Sequence, residues 1–248
     1  MTDLAREVRR LAFPAILHSL LQTLVFVVDR IMLGRHSDAS LAAMQIGGTF
    51  EWSIWSVFAA FEVGTVARIG RHVGAGRKEE ARQVAILSLV LAVSLGLVLA
   101  AATPLVLALV PLAGDRMSAE GIAEARGYLG MTIAASPIVF LATATTAILQ
   151  ASGDTRTPLA IGIFANVIHI ALNRVLILGA FGLPAMGSKG AGISLAITFA
   201  LEGGLALFAL MRRDRKVSLR RSTDDARSIS AREETRELVR VGGPAFAE

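Results

Sequence analysis

The sequence predicts an all-α fold: a polytopic membrane protein whose six transmembrane helices form one lobe of a two-lobe, inverted or parallel repeat. Three observations carry this prediction. Hydrophobic residues make up 54% of the 248 residues and the mean hydropathy is +0.60, too apolar for an ordinary soluble domain. Six stretches approach or exceed the roughly 20 helical residues that cross a ~30 Å hydrocarbon layer. The opening run Arg6-Glu7-Val8-Arg9-Arg10-Leu11-Ala12-Phe13-Pro14-Ala15 returns as Arg236-Glu237-Leu238-Val239-Arg240-Val241-Gly242-Gly243-Pro244-Ala245.

The first predicted span is Leu11 to Val28, uncharged, with Pro14 inside it where a missing backbone donor kinks a helix. Its apolar character runs on through Asp29 to Gly34 without a small-residue cleavage site, so it reads as a retained span rather than a signal peptide. After an outer loop at Gly34 to Ser40, the second span descends from Leu41 to Ala67 and carries Glu51 and Glu62. Gly74-Ala75-Gly76 ends it, and Lys78-Glu79-Glu80 opens the third helix with acids at its N-terminus, where the dipole favours them. The third span is Val84 to Gly114 and the fourth is Gly127 to Gly153, with Pro137 as a second kink.

In Gly153-Asp154-Thr155-Arg156-Thr157-Pro158 the glycine suits a left-handed helix end, Thr157 suits a cap and Pro158 a first turn, which predicts a tight hairpin. The fifth span, Leu159 to Leu183, contains His169 and Arg174; the sixth, Gly190 to Met211, contains Glu202. The glycines Gly47-Gly48, Gly162 and Gly203-Gly204 read as close-approach points between helices. From Arg212 to Glu234 the chain is polar and basic with no apolar face, the signature of a linker. The predicted domains are therefore a six-helix lobe over 1–211, a basic cytoplasmic linker over 212–234, and the truncated start of a second repeat over 235–248.

The net charge of +5 reports topology, not a nucleic-acid partner. With six spans and both ends on one side, that side receives nineteen basic residues and the other side four: Arg35, Arg116, Arg126 and Lys189. The positive-inside rule then places both termini in the cytoplasm of a multi-pass cell-membrane protein. Absence of cysteine removes disulfides and thiolate chemistry. A repeat of this length in a membrane chain is the sign of a transporter made of two related bundles with its substrate path between them.

The motifs in their order resemble the multidrug and toxic compound extrusion (MATE) family. They are Pro14, the run Phe26-Val27-Val28-Asp29-Arg30-Ile31-Met32-Leu33-Gly34, Leu41-Ala42-Ala43, Gly64-Thr65, Gly74-Ala75-Gly76, the hairpin Ala151 to Pro158, Leu172-Asn173-Arg174-Val175-Leu176-Ile177-Leu178-Gly179, and Gly187-Ser188-Lys189-Gly190-Ala191-Gly192. The resemblance implies two six-helix lobes that exchange a cation for small organic, cationic substrates. It also implies that the C-terminal lobe is missing here or supplied by a second chain. In one branch of the family the cation site uses an acid in span one, to which Asp29 corresponds, and an Asn-x-x-x-Asp pair in span five. Here that pair reads His169 to Asn173, a departure that removes one carboxylate and inserts a titratable ring.

Depth along the helices points to the same residues. At ~1.5 Å per residue Asp29 lies roughly 28 Å up span one and Asn173 roughly 22 Å up span five, with His169 one turn below on the same face. The predicted cation-coupling set is thus Asp29, His169 and Asn173, for H+ or Na+ with a tilt toward protons; no other cofactor and no resident metal is expected. A simple ion pair of Asp29 with Arg30 or Arg174 is the structural alternative. Glu51, Glu202 and Arg174 are the candidates for a substrate or proton path, since a charge at mid-bilayer costs on the order of 3 kcal/mol or more.

Two other activities compete with cation-coupled export. A lipid-linked oligosaccharide flippase of the same superfamily would favour an Arg-rich cavity, and only Arg30 and Arg174 lie in the spans. An integral membrane enzyme would need clustered metal-binding acids, and no such motif occurs in or beside a span. The chain is therefore not expected to be an enzyme. A single lobe acting without its partner is expected to be inactive, because alternating access needs one bundle to rock against another.

Overall fold

The computed structural model describes residues 3–113, 117–212, 217–219, 235–238 and 240; several side chains within the helices, including those of Glu51 and Trp55, lie outside the described set. Eight helices occur among the described residues: α1 (Asp3–His36), α2 (Asp38–Gly74), α3 (Lys78–Ala101), α4 (Thr103–Ala113), α5 (Ala119–Ala134), α6 (Ser136–Ala151), α7 (Arg156–Leu176) and α8 (Gly187–Leu210). Helices α1, α3, α7 and α8 are each long and apolar enough to cross a membrane, and α5 with α6 forms a fifth crossing bent by 53°. The sixth rod is α2, whose 37 residues extend ~55 Å, although its acids and arginines dilute its apolar character. The predicted six-helix bundle is the observed one, and the protein is a multi-pass membrane protein.

Two expected spans are broken. Between α5 and α6 the turn at Ala135 precedes Pro137, which has no N–H to continue the ladder. The bend is seated against α3: a Cβ on Gly96 would come within 2.5 Å of the Pro137 Cα, so only glycine permits the contact. The third span breaks at Ala102, where Pro104 follows in the first turn of α4 and the Thr103 hydroxyl donates to the Ala100 carbonyl at 2.6 Å. Pro14, expected to kink its span, sits inside a continuous α1.

The connections are tighter than expected. In place of a loop over Gly34 to Ser40, one residue, Ser37, joins α1 to α2 and caps α2 through its hydroxyl, which accepts from Ser40 N at 3.0 Å. Gly153 takes the left-handed conformation at φ 88°. The cap of α7 comes from Asp154 rather than Thr157: its Oδ1 accepts from Thr157 N at 3.1 Å.

Helix α8 is the axis of the bundle and packs against α5, α6 and α7, with α1 and α2 also reaching it. Its buried stripe of Gly190, Ala191, Gly192, Ser194, Thr198, Gly203 and Ala206 lets neighbouring backbones approach, as membrane bundles require. Gly162 makes room for the His18 ring, whose Cδ2 would lie 2.9 Å from a Cβ there. Gly204, in contrast, faces open space, so it is not the packing residue expected.

The segment after α8 is not a free linker along its described length. Val217 is fully buried with Leu219 beside it, in the cluster formed by Ile69, Val84, Ile148, Leu149 and Leu210. Leu219 N donates to the Leu210 carbonyl at 2.9 Å. Leu238 joins the same cluster, its carbonyl against Gly64 of α2. Two apolar residues among many charges give no periodic face, but each fills a hole in an existing core.

Candidate functional site

One buried polar cluster joins α1, α7 and α8. Asp29 is 7% exposed, His169 2% and Asn173 not at all. His169 Nε2 lies 2.9 Å from Asp29 Oδ1 and 3.1 Å from Oδ2. Asn173 Nδ2 donates to Asp29 Oδ1 and lies 3.0 Å from His169 Nε2. The three residues selected from sequence therefore meet. The i,i+4 stacking of His169 and Asn173 on α7 presents both to a single carboxylate on the parallel α1.

The other ring nitrogen of His169 points to α8. Its Nδ1 is 3.0 Å from Thr198 Oγ1 and 3.3 Å from Ser194 Oγ. Both hydroxyl protons have acceptors elsewhere: Thr198 donates to the Ser194 carbonyl at 2.8 Å and Ser194 to the His169 carbonyl at 3.2 Å. Each hydroxyl oxygen is thus left to accept, an arrangement that suits a ring carrying its proton on Nδ1. On the opposite side Nε2 faces the Asp29 carboxyl and the Asn173 amide together, so it can donate to the first or accept from the second.

Ser194 and Thr198 were not among the sequence candidates. Hydroxyls four apart in an apolar span usually bond back to their own helix, and these do; only their position opposite His169 gives them a second role. Asn173 Oδ1 remains buried without a hydrogen-bond partner among the described residues.

The basic residues nearby do not pair with Asp29. The Arg30 guanidinium lies 4.3 Å over the Phe26 ring, a cation–π contact. Arg174, one residue past Asn173, is exposed, on a different face of α7 from the cluster. The alternative ion pair of Asp29 with Arg30 or Arg174 is therefore absent among the described residues. Glu202 is buried at 6% exposure on α8, one turn from Thr198. The side chain of Glu51 lies outside the described residues.

A second polar junction closes the same end of the bundle. Glu124 of α5 accepts from Ser40 Oγ at 2.8 Å and from Ser188 N at 2.7 Å, tying the α1–α2 corner to the N-terminus of α8. Gly187, at φ 53°, leaves the room this needs: a Cβ there would meet Glu124 Oε2 at 2.6 Å.

A family model described as MatE matches residues 14–175. The probable multidrug resistance protein NorM of Thermotoga maritima is 28% identical over 246 residues, covering 99% of this chain and 52% of that protein. A MOP superfamily transporter from Pyrococcus furiosus, whose binding pocket is described as reversed in polarity and suggesting a different function, superposes with a TM-score of 0.84 at 25% identity over 99% of this chain and 53% of that one. The outward-facing conformation of a multidrug resistance MATE family transporter of the MOP superfamily matches equally well, with TM-score 0.84, 25% identity and the same coverage. The chain spans about half the length of the relatives it matches.

Proposed function

The chain belongs to the MatE family, and from that membership we propose that it is the first lobe of a proton-coupled antiporter that exports small organic cations, with the Asp29–His169 pair as its proton site. The observation that carries this reading is the buried contact of 2.9 Å between Asp29 and His169, with Nδ1 of the ring engaged on the other side. Protonation changes which of these contacts are attractive, and two conformations that differ in water access to the pair would be biased by it. A sodium ion prefers hard oxygen ligands. A ring nitrogen stands at the centre of this site instead, which favours the proton.

In this reading both termini face the cytoplasm, as the nineteen-to-four distribution of basic residues supports. A second lobe, as a continuation or a separate chain, supplies the surface against which this one rocks. The relatives' names support drug export as the class of transport. The flippase alternative is not favoured: Arg30 is held over Phe26 and Arg174 is exposed, so neither lines the polar cluster.

The test is Asp29→Asn in the two-lobe protein. Efflux of a cationic dye driven by a pH gradient should be lost while the amount of protein in the membrane stays the same. Unchanged efflux would remove the coupling role, and efflux that follows a sodium gradient at fixed pH would replace the proton with sodium.

A further inference from the structure

Below the Asp29–His169 pair, toward the end of the bundle where α1 begins and α8 finishes, lies a second set of buried polar groups that the proposed site does not use. Asn166 is 4% exposed and Glu202 is 6% exposed. Asn166 Nδ2 and Glu202 Oε1 are each enclosed and without a hydrogen-bond partner among the described residues. The antiparallel register of α7 and α8 relates them. His169 meets Thr198; Asn166 is one turn inward of His169 on α7, and Glu202 is one turn inward of Thr198 on α8. A further turn along the buried face of α7 reaches Gly162, against which the His18 ring of α1 is packed.

We propose that Glu202, with Asn166 beside it, is a second proton-binding site of the lobe, one helical turn inward of the Asp29–His169 pair and followed by His18. A buried acceptor and a buried donor left unmatched at the same level call for a ligand that both donates and accepts. Water carrying a proton between them meets that need. The Glu202 carboxyl oxygen gains and loses the proton, and Asn166 Nδ2 donates to the water between them when the carboxyl is charged. This inference rests on the assigned direction of His169 Nδ1 toward α8, not on export of any particular substrate.

Other titratable and charged groups stand on the elements packed against α8. On α7 they are His169, Arg156 at its start and the exposed Arg174; on α1 they are His18, Asp29 and Arg30, with Arg30 turned to Phe26, besides Asp3, Arg6, Glu7, Arg9 and Arg10 at its start and Arg35 and His36 at its end. None occurs in α6, and Glu120, Glu124, Arg126 and Tyr128 of α5 lie in its outer part. Glu62 and the basic residues of α2 after it lie toward the same end of the bundle, where Ile69 packs with Leu210 of α8. Glu202 forms no ion pair among the described residues.

The test is infrared difference spectroscopy between about pH 5 and pH 8 on the 248-residue chain in lipid nanodiscs, with the glutamate carboxyl carbon isotopically labelled to separate it from aspartate. A glutamate band that follows pH should be lost in Glu202→Gln and retained in Glu62→Gln and in Asp29→Asn. In Asn166→Leu, which keeps the carboxyl and removes its donor, the same band should persist at a displaced midpoint. A band unaltered by Glu202→Gln, a band unmoved in Asn166→Leu, or a band that answers to sodium and not to pH overturns the proposal. Loss of the aspartate band in Asp29→Asn is a separate readout, so the first proton site can fail while this one stands.

Discussion

Removing the two hydroxyls that fix the His169 ring should reverse its tautomer. In the wild type Nδ1–H has Thr198 Oγ1 at 3.0 Å and Ser194 Oγ at 3.3 Å. Thr198→Val keeps the shape and leaves the longer contact; Ser194→Ala with Thr198→Val leaves Nδ1–H in a dry interior with no side-chain acceptor. An orphaned buried donor costs about 1–3 kcal/mol, which at 1.4 kcal/mol per decade is about 5- to 150-fold in a tautomer equilibrium. The ring escapes that cost by carrying its proton on Nε2, where Asp29 accepts it. Nitrogen-15 NMR of labelled histidine, with the His169 signals identified by their loss in His169→Gln, reads the position of the proton directly. The double variant should show an unprotonated Nδ1, and Thr198→Val alone an intermediate population. A protonated Nδ1 in the double variant, with unchanged thermal stability, would refute the claim that these hydroxyls hold the ring proton on Nδ1.

Three further perturbations address the frame around the site. Gly96→Ala drives a methyl into the Pro137 backbone and should cost about 1–3 kcal/mol, lowering the melting midpoint by about 2–4 °C per kcal/mol; Gly204→Ala, which faces open space, should leave it unchanged or raise it. Gly64→Ala strikes the Leu238 carbonyl, 2.4 Å from the added carbon, and should expose the Arg236–Arg240 segment to trypsin; equal cleavage in both proteins would contradict the docking of Leu238. Glu124→Gln weakens the junction with Ser40 and Ser188 and should lower the melting midpoint by an amount equivalent to about 1 kcal/mol, while leaving the His169 NMR signals in place.

Much of the site was legible because it depends on depth and on one face of one helix. Asp29 and Asn173 could be brought to similar heights by counting residues, and His169 had to share the face of Asn173. What faces His169 from across the gap could not be counted. Ser194 and Thr198 look in sequence like the many hydroxyls that satisfy themselves on their own helix. Arg174 differs from Asn173 by a rotation of about 100°, which separates an exposed residue from a buried one. The helix breaks were half legible: Pro137 marked one, while Pro104 became informative only once Ala102 was seen to end α3. Val217, Leu219 and Leu238 gave no signal because a core hole accepts single apolar residues without any periodicity.

The amino-acid order by itself determined that a series of rods of membrane-crossing length follow one another, most of them apolar, where along each rod its polar residues stand, and which family the chain resembles, because the rise per residue of a helix and the cost of burying charge in lipid are local quantities. Only the tertiary structure decided how each rod is turned about its axis and which neighbour it meets. That turn depends on small residues such as Gly96, Gly162 and Gly190 meeting particular partners across the bundle. Through it the Asp29 carboxylate came to rest on an imidazole instead of an arginine.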